Sequence, residues 1–281
     1  MNRLQLVLAT FIFGTIGIFV NYIPLPSAAI AFARGALGVL FLLLFGLILR
    51  IEINLQNIKK NLLLLLLSGG AIGFNWIFLF EAYRHTTVAT ATLCYYMAPI
   101  FVMAASPFVL KEKIGVKKLI CIGVSLVGMV FVNGAPTDGD PLGIIFGIAA
   151  AALYASVILM NKKLGEVSAF NRTLVQLAAA ALVVLPYTIL VEKPDLTALD
   201  GQGIGLLLCV GLVHTGLAYF MYFASVQKLP AQTVAIISYI DPVVAIVLSA
   251  LLLSQPLTVA SATGAVLILA ASLAAEWPAK K

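Results

Sequence analysis

Ten runs of mostly apolar residues, separated only by short polar connections, constrain this chain more than any other feature. They fall at 4–23, 28–50, 61–82, 88–110, 116–133, 141–161, 169–191, 203–227, 232–253 and 257–275. A helix needs about 20 such residues to cross the hydrocarbon core of a bilayer. The chain is 62% hydrophobic and 10% charged, where soluble domains carry about 25% charged residues. Its mean hydropathy is +1.11. These values exclude a soluble domain and predict an all-α polytopic membrane protein with ten transmembrane helices. The connections carry turn chemistry, as in Pro24-Leu25-Pro26 and Gly134 to Pro141. None is long enough for a further domain. The first run has no small-residue cleavage site behind it, so it is expected to stay as a helix.

The net charge of +6 is a topology signal, with no nucleic-acid partner implied. If both termini are cytoplasmic, that side holds Arg3, Arg50, Lys59, Lys60, the Lys111–Lys118 cluster, Lys162, Lys163, Arg172, Lys228 and the terminal lysines. The other side keeps only Arg34, Arg84 and Lys193. Lysine and arginine gather on the cytoplasmic side of short loops, so both termini are expected there. Cys94, Cys121 and Cys209 lie inside apolar runs, odd in number and without metal-ligand spacing. They are read as buried small hydrophobes.

The chain repeats itself. An offset of 143 residues places Pro99 on Pro242, Tyr96 on Tyr239, Trp76 on Tyr219 and Gly73 on Gly216. An offset of 138 places Ala31-Phe32-Ala33-Arg34 on Ala169-Phe170-Asn171-Arg172. The halves are expected at 1–135 and 136–281, with five spans each. An odd number of spans turns the second half over, so the repeats are inverted. Inverted repeats place a substrate path near mid-membrane at their pseudo-two-fold axis.

The most distinctive span is Ala231 to Pro256, where Asp241 sits near the middle with Pro242 behind it. A carboxylate at that depth costs roughly 2.5–3.5 kcal/mol on insertion scales, so it should face protein or water. Proline donates no backbone hydrogen bond and frees the carbonyl four residues back, here that of Ser238. Pro99 repeats the kink in the first half, whereas Asp241 falls on Ala98 and has no acidic mate.

On these features the chain resembles the drug/metabolite transporter superfamily, EamA-like branch, over its whole length. The two five-helix repeats, the fourth-helix prolines and the glutamate in Leu110-Lys111-Glu112-Lys113-Ile114 carry the resemblance. Gln255 departs from the family's glutamate in the second copy. The resemblance implies a monomeric or homodimeric carrier in the bacterial inner (plasma) membrane. Such a carrier works by alternating access and commonly exports amino acids or other small metabolites.

Superposing the repeats gives the site prediction. Asn75 and His214 fall on equivalent faces of the third and eighth spans, and Tyr95, Ser238 and Asp241 on equivalent faces of the fourth and ninth. These five are expected to line one central cavity and bind substrate, together with the aromatic residues Trp76, Tyr96, Tyr219 and Tyr239. Asn75 as an interhelical hydrogen-bond partner, a neutral His214 bonded to a tyrosine hydroxyl, and aromatics serving only as packing are the blander alternatives. Asp241 and His214 are the proton-coupling candidates. Arg34 and Arg172 read as side chains that snorkel to the interface, with capture of a substrate carboxylate as the sharper alternative. Glu81 and His85, four apart, do not make a metal site by themselves.

No HExxH, GxSxG or phosphate-binding glycine loop is present. A non-enzymatic carrier without cofactor or metal follows, its partners a small-molecule substrate and the lipid bilayer. The alternatives are uptake of a choline-like quaternary amine, suggested by the aromatics and Asp241, a channel, or a non-transporting interaction or lipid-handling protein.

Overall fold

The computed structural model describes residues 2–133, 140–252 and 258–276. The junction expected between 135 and 136, Gln255 and the terminal lysines lie outside the described residues. The spans are α1 (Asn2–Asn21), α2 (Ser27–Ile48), α3 (Leu62–His85), α4 (Val88–Tyr95 then Ala98–Leu110), α5 (Val116–Asn133) and α6 (Pro141–Lys163). After them come α7 (Ala169–Glu192), α8 (Gly201–Lys228), α9 (Ala231–Ile237 then Ile240–Leu252) and α10 (Val259–Glu276). Eight of these are long and apolar enough to cross a membrane on those grounds alone. The other two, α5 with Lys117 and Lys118 in its first turn and α10, complete the ten. Leu47, Ile48, Phe108, Leu182 and Val259 are exposed on the outer helix faces, the apolar coat that a lipid environment calls for.

Helix starts follow from local chemistry. Thr87, Asp140, Ser168 and Asp200 each accept a hydrogen bond from an amide in the first turn that follows, those of Thr90, Leu142, Asn171 and Gly203. Each satisfies a donor that would otherwise lack a partner. Pro141 at the first position of α6 costs nothing, because its missing N–H would be free there anyway. A short helix, Leu55–Lys60, capped by Asn54, lies before α3. It is tied to the connection after α6 by Asn57 Nδ2 on Glu166 O at 3.1 Å and by Lys60 on the Glu166 carboxylate at 2.8 Å. The Lys60 hydrogen bond holds the Glu166 carboxyl below its ordinary range.

Both prolines interrupt their helices at equivalent places. In α4 the break falls at Tyr96 and Met97, and in α9 at Ser238 and Tyr239. The Ser238 carbonyl, which Pro242 cannot serve, accepts a 3.3 Å bond from the Asp241 amide instead. Tyr239 is fully buried, and its hydroxyl donates to Tyr96 O at 3.0 Å. One break is thereby fastened to the other.

The packing partners obey the repeat. The α3–α6 contact is matched five helices on by α8–α1, α3–α7 by α8–α2, and α4–α6 by α9–α1; α2–α7, α4–α9 and α5–α10 are their own mates. The contacts are close because glycine sits in them. A Cβ at Gly73 would lie 2.8 Å from Ala180 O of α7 and one at Gly128 2.8 Å from Gly264 O of α10. The result is the predicted architecture, two inverted five-helix repeats. The α5–α10 pair stands beside a core of eight helices.

Two stretches wound wider than an α-helix have no counterpart in the sequence prediction, one at the end of α7, Thr188–Glu192, the other in the middle of α8, Val210–Leu217. Thr215 Oγ1 reaches Val210 O at 3.0 Å, and His214 Nδ1 lies 3.4 Å from Cys209 O. Each side chain bonds a carbonyl five residues back, within the wide turn.

Candidate functional site

The core helices enclose a cavity of about 230 Å³. Helical spacing builds its walls: Phe13 and Ile16 from one face of α1, Trp76, Leu79 and Tyr83 from one face of α3, and Tyr219 and Tyr222 from one face of α8. Arg34 enters from α2, Thr92, Tyr95 and Tyr96 from α4, Tyr154 from α6, and Asp241 from α9. A pocket of about 30 Å³ beneath it shares Tyr95, Tyr96, Tyr154 and Asp241 and adds Ala98, Pro99 and Ser238. A hydroxyl chain links the two, from Tyr154 to Tyr222 at 2.7 Å and on to Ser238 at 3.4 Å. The broken helices place Asp241 here. Its carboxylate faces the Tyr96 phenol and forms no ion pair among the described residues.

The pseudo-two-fold axis runs through this space. The repeat mates Ile16/Tyr154, Trp76/Tyr219, Leu79/Tyr222, Tyr95/Ser238 and Ala98/Asp241 line the cavity or the pocket beneath it, both members in each case. The remaining lining is one-sided. Arg34, Tyr83 and Thr92 reach the cavity, whereas their mates Arg172, Val226 and Ala235 are 0% exposed. Tyr83 lies seven residues past Trp76, roughly 10 Å along α3 at 1.5 Å per residue. The cavity therefore runs from mid-depth toward the end of the bundle where α3 finishes and α4 begins.

The opposite end is bolted shut by polar contacts between the α4–α5 connection, α6 and the start of α9. Both Glu112 carboxylate oxygens accept from the Ala231 amide, at 3.2 and 3.1 Å. Lys162 donates to Leu229 O at 2.6 Å and stands 4.0 Å from Glu112. Gln232 donates to Lys113 O at 3.1 Å, and Lys118 to Thr233 at 3.3 Å. A carboxylate at a helix N-terminus is favoured by the free amides and the helix dipole.

Six of the nine residues expected to bind substrate stand in these walls: Trp76, Tyr95, Tyr96, Tyr219, Ser238 and Asp241. Three, Asn75, His214 and Tyr239, stand outside those walls. Asn75 is buried and donates to Ala150 O at 2.7 Å, fastening α3 to α6. His214 is buried between Thr15, whose hydroxyl lies 2.8 Å from Nε2, and the ring of Phe19. Tyr239 braces the two helix breaks. Asn75 and Tyr239 donate to carbonyls of neighbouring helices, and His214 contacts Thr15 of α1 and Cys209 O of its own helix.

Arg34 also departs from expectation. It does not snorkel; its guanidinium carbon lies 4.1 Å from the centroid of the Trp76 ring, inside the cavity wall. Its mate Arg172 is locked in protein, donating to Asn161 O at 3.0 Å, Phe223 O at 3.0 Å and Gln227 Oε1 at 3.2 Å. Arg34 makes no hydrogen bond and no ion pair among the described residues; its Nε, like that of Arg172, is buried without a partner. The sequence reading also missed Phe13, Ile16, Leu79, Tyr83, Thr92 and Tyr154. The 138-residue offset that pairs Arg34 with Arg172 also pairs Ile16 with Tyr154, a usable signal for those two.

At the cavity's own end, Glu81, Arg84 and Tyr187 form one cluster, with Arg84 3.0 Å from both partners. His85 lies 3.6 Å from Glu81 and 3.5 Å from Asp140. No metal-binding group of three or more ligands occurs among the described residues.

Two inverted five-helix repeats around a mid-depth polar cavity are the frame of a membrane transporter. The chain belongs to the EamA-like transporter family, whose model matches residues 3–134 and again 141–275. A Bacillus subtilis (strain 168) protein described as uncharacterized transporter YxxF is 30% identical over 87% of this chain and 79% of its own length. A Salmonella typhimurium protein described as a probable amino-acid metabolite efflux pump is 31% identical over 75% of this chain and 76% of its own. A crystal structure aligns with 98% of this chain and 97% of its own at a TM-score of 0.87 and 17% identity, a likeness of fold alone. The chain is an integral membrane protein of a family that transports small molecules.

Proposed function

We propose that this chain is a secondary carrier that moves an amino acid or related metabolite across a bacterial inner membrane by alternating access, as an exporter. The halves 1–135 and 136–281 rock about the cavity. The observation that carries the reading is the one-sided lining of a two-fold frame. Repeat mates share the centre, whereas Tyr83 reaches the cavity and Val226 is sealed. An inverted repeat has a second state of similar energy in which the halves exchange conformations, and the sealed set then becomes the open one. Following the lysine and arginine distribution, both termini are cytoplasmic, the Glu112 bolt closes the cytoplasmic side, and the cavity faces outward. The amino-acid class is supported by the name of the Salmonella relative and by the two opposite charges in the walls.

Asp241 is the coupling group in this reading. It faces Tyr96, with Arg34, Tyr83, Tyr95, Tyr219 and Tyr222 in the same wall. A carboxyl that holds either a proton or the substrate's ammonium exchanges one for the other, which is antiport. His214, enclosed by Thr15 and Phe19, has no such access. Uptake of a quaternary amine is the second reading, favoured by the tyrosines; Arg34 in the same wall opposes a purely cationic ligand.

Counterflow in proteoliposomes tests the carrier. Vesicles loaded with unlabelled amino acid are expected to accumulate the labelled form transiently above equilibrium. A channel or a scaffold gives no such overshoot, and its absence across the common amino acids would remove the carrier reading.

A further inference from the structure

Arg34 and Asp241 bring opposite charges into one small cavity without pairing. No nitrogen of Arg34 comes within 4.0 Å of a carboxylate oxygen among the described residues, and Arg34 forms no hydrogen bond there. In a medium poor in water, unlike charges attract more strongly than in solution and close contact is favoured. Here the fold holds them apart. Arg34 is stacked on Trp76 at 4.1 Å, with the Tyr219 ring 6.2 Å beyond, edge-on to Trp76. Asp241 is fixed from α9 at the helix break. Stacking occupies the flat face of a guanidinium and leaves its in-plane N–H groups free for a carboxylate.

The mate of Arg34 gives the internal comparison. Arg172 has three acceptors, one of them Gln227. The residue equivalent to Gln227 in the first half is Arg84, a cation that accepts nothing and that is engaged with Glu81 and Tyr187. The same arginine position is structural in one repeat and open in the other.

We propose that Arg34 is the carboxylate receptor of the cavity and Asp241 its ammonium receptor. Together they select a zwitterion, an α-amino acid whose apolar side chain lies against Phe13, Ile16 and Leu79. The proposal rests on the carrier reading above and adds which end of the substrate each residue holds. The two receptors come from different helices, and at the equivalent positions Arg172 is engaged by protein acceptors and Ala98 carries no charge, so one substrate orientation is favoured in a frame that is otherwise two-fold. A ligand with only one of the two charges leaves the other receptor desolvated and unpaired, which is the physical basis for rejecting it.

Binding to purified protein in detergent, followed by calorimetry, tests this separately from transport. The probes are leucine and phenylalanine, with the amine lacking the carboxyl group and the acid lacking the amino group of each. Wild-type protein is expected to bind the amino acids at least about tenfold more tightly than either truncated form. Arg34→Gln should weaken the amino acids at least about tenfold and leave the amines unchanged; Arg34→Lys, which keeps charge but loses the fork, should fall between. Asp241→Asn should do the converse with the acids. Arg172→Gln, removing a structural arginine, should lower protein yield without altering the amino acid to amine ratio of the folded fraction. Equal binding of amino acid and amine by wild type, an unchanged ratio in folded Arg34→Gln, or no binding of either amino acid overturns the proposal. Selective binding without counterflow upholds the receptors and removes the carrier; counterflow of the amines as readily as of the amino acids does the reverse.

Discussion

Asp241→Asn is expected to lower net flux in proteoliposomes by about two orders of magnitude and to remove the dependence of the residual flux on pH. Asparagine has almost the same shape, so the helix break at Ser238 and Tyr239 and the Asp241 amide bond to Ser238 O at 3.3 Å should survive. What disappears is a charge and an exchangeable proton in a cavity where no neighbouring side chain can replace them. The rest of the lining is tyrosines, Trp76, Thr92, three apolar side chains and one cation, Arg34. Removing one partner of the desolvated pair that Asp241 is proposed to form with the substrate's ammonium costs about 2–5 kcal/mol, and each 1.4 kcal/mol is about tenfold. The measurement is initial rate against pH, normalised to inserted protein. A flux still rising or falling with pH in the variant would move the proton to another group.

Gly73→Leu carries the largest expected effect on folding. A bare Cβ at Gly73 would sit 2.8 Å from both Ala180 O and the Val183 Cβ, and one at Gly69, one turn earlier, 2.7 Å from Gln176 O. Two small residues four apart let α3 lie directly on α7, as helices in membranes do when backbone contact replaces side-chain packing. A leucine has no room to turn, since the obstruction includes the backbone of the other helix. The cost should exceed the about 1–3 kcal/mol of overpacking in a core that can shift. Monodisperse protein should be lost on size-exclusion chromatography. The control is Gly123→Leu on α5, where a Cβ meets nothing within 4 Å; it should leave the elution profile unchanged.

How much of this was legible in the sequence follows from what each feature needs. The ten spans were legible because bilayer thickness sets their length and a missing proline amide marks where two of them break. The repeats were legible because Pro99, Trp76 and Gly73 have mates at one offset. The site was legible only in part. Repeat superposition says which positions are equivalent, but not whether a polar group on a helix is already satisfied. Asn75 reads as a cavity residue until Ala150 O is found against it, and His214 until Thr15 is. Arg34 and Arg172 have nearly the same neighbours in sequence. One difference between them is that the position that supplies Gln227 to Arg172 supplies Arg84 to Arg34, some 50 residues away along the chain. The wide turn in α8 left no mark in the pattern of apolar residues.

Alternating access is tested most directly by cysteine accessibility at one pair of repeat mates, Tyr83 and Val226, in a background lacking Cys94, Cys121 and Cys209. With a membrane-impermeant maleimide, Tyr83→Cys should react from the outer side and Val226→Cys, at a position now fully buried, should be silent. Adding Glu112→Ala, which removes the acceptor for the Ala231 amide, should reverse the order: Val226→Cys becomes reactive from the cytoplasmic side as Tyr83→Cys is protected. Saturating amino acid should move both positions in opposite directions in the unbolted protein. Tyr83→Cys remaining reactive and Val226→Cys remaining silent under every one of these conditions would contradict exchange between the two repeats.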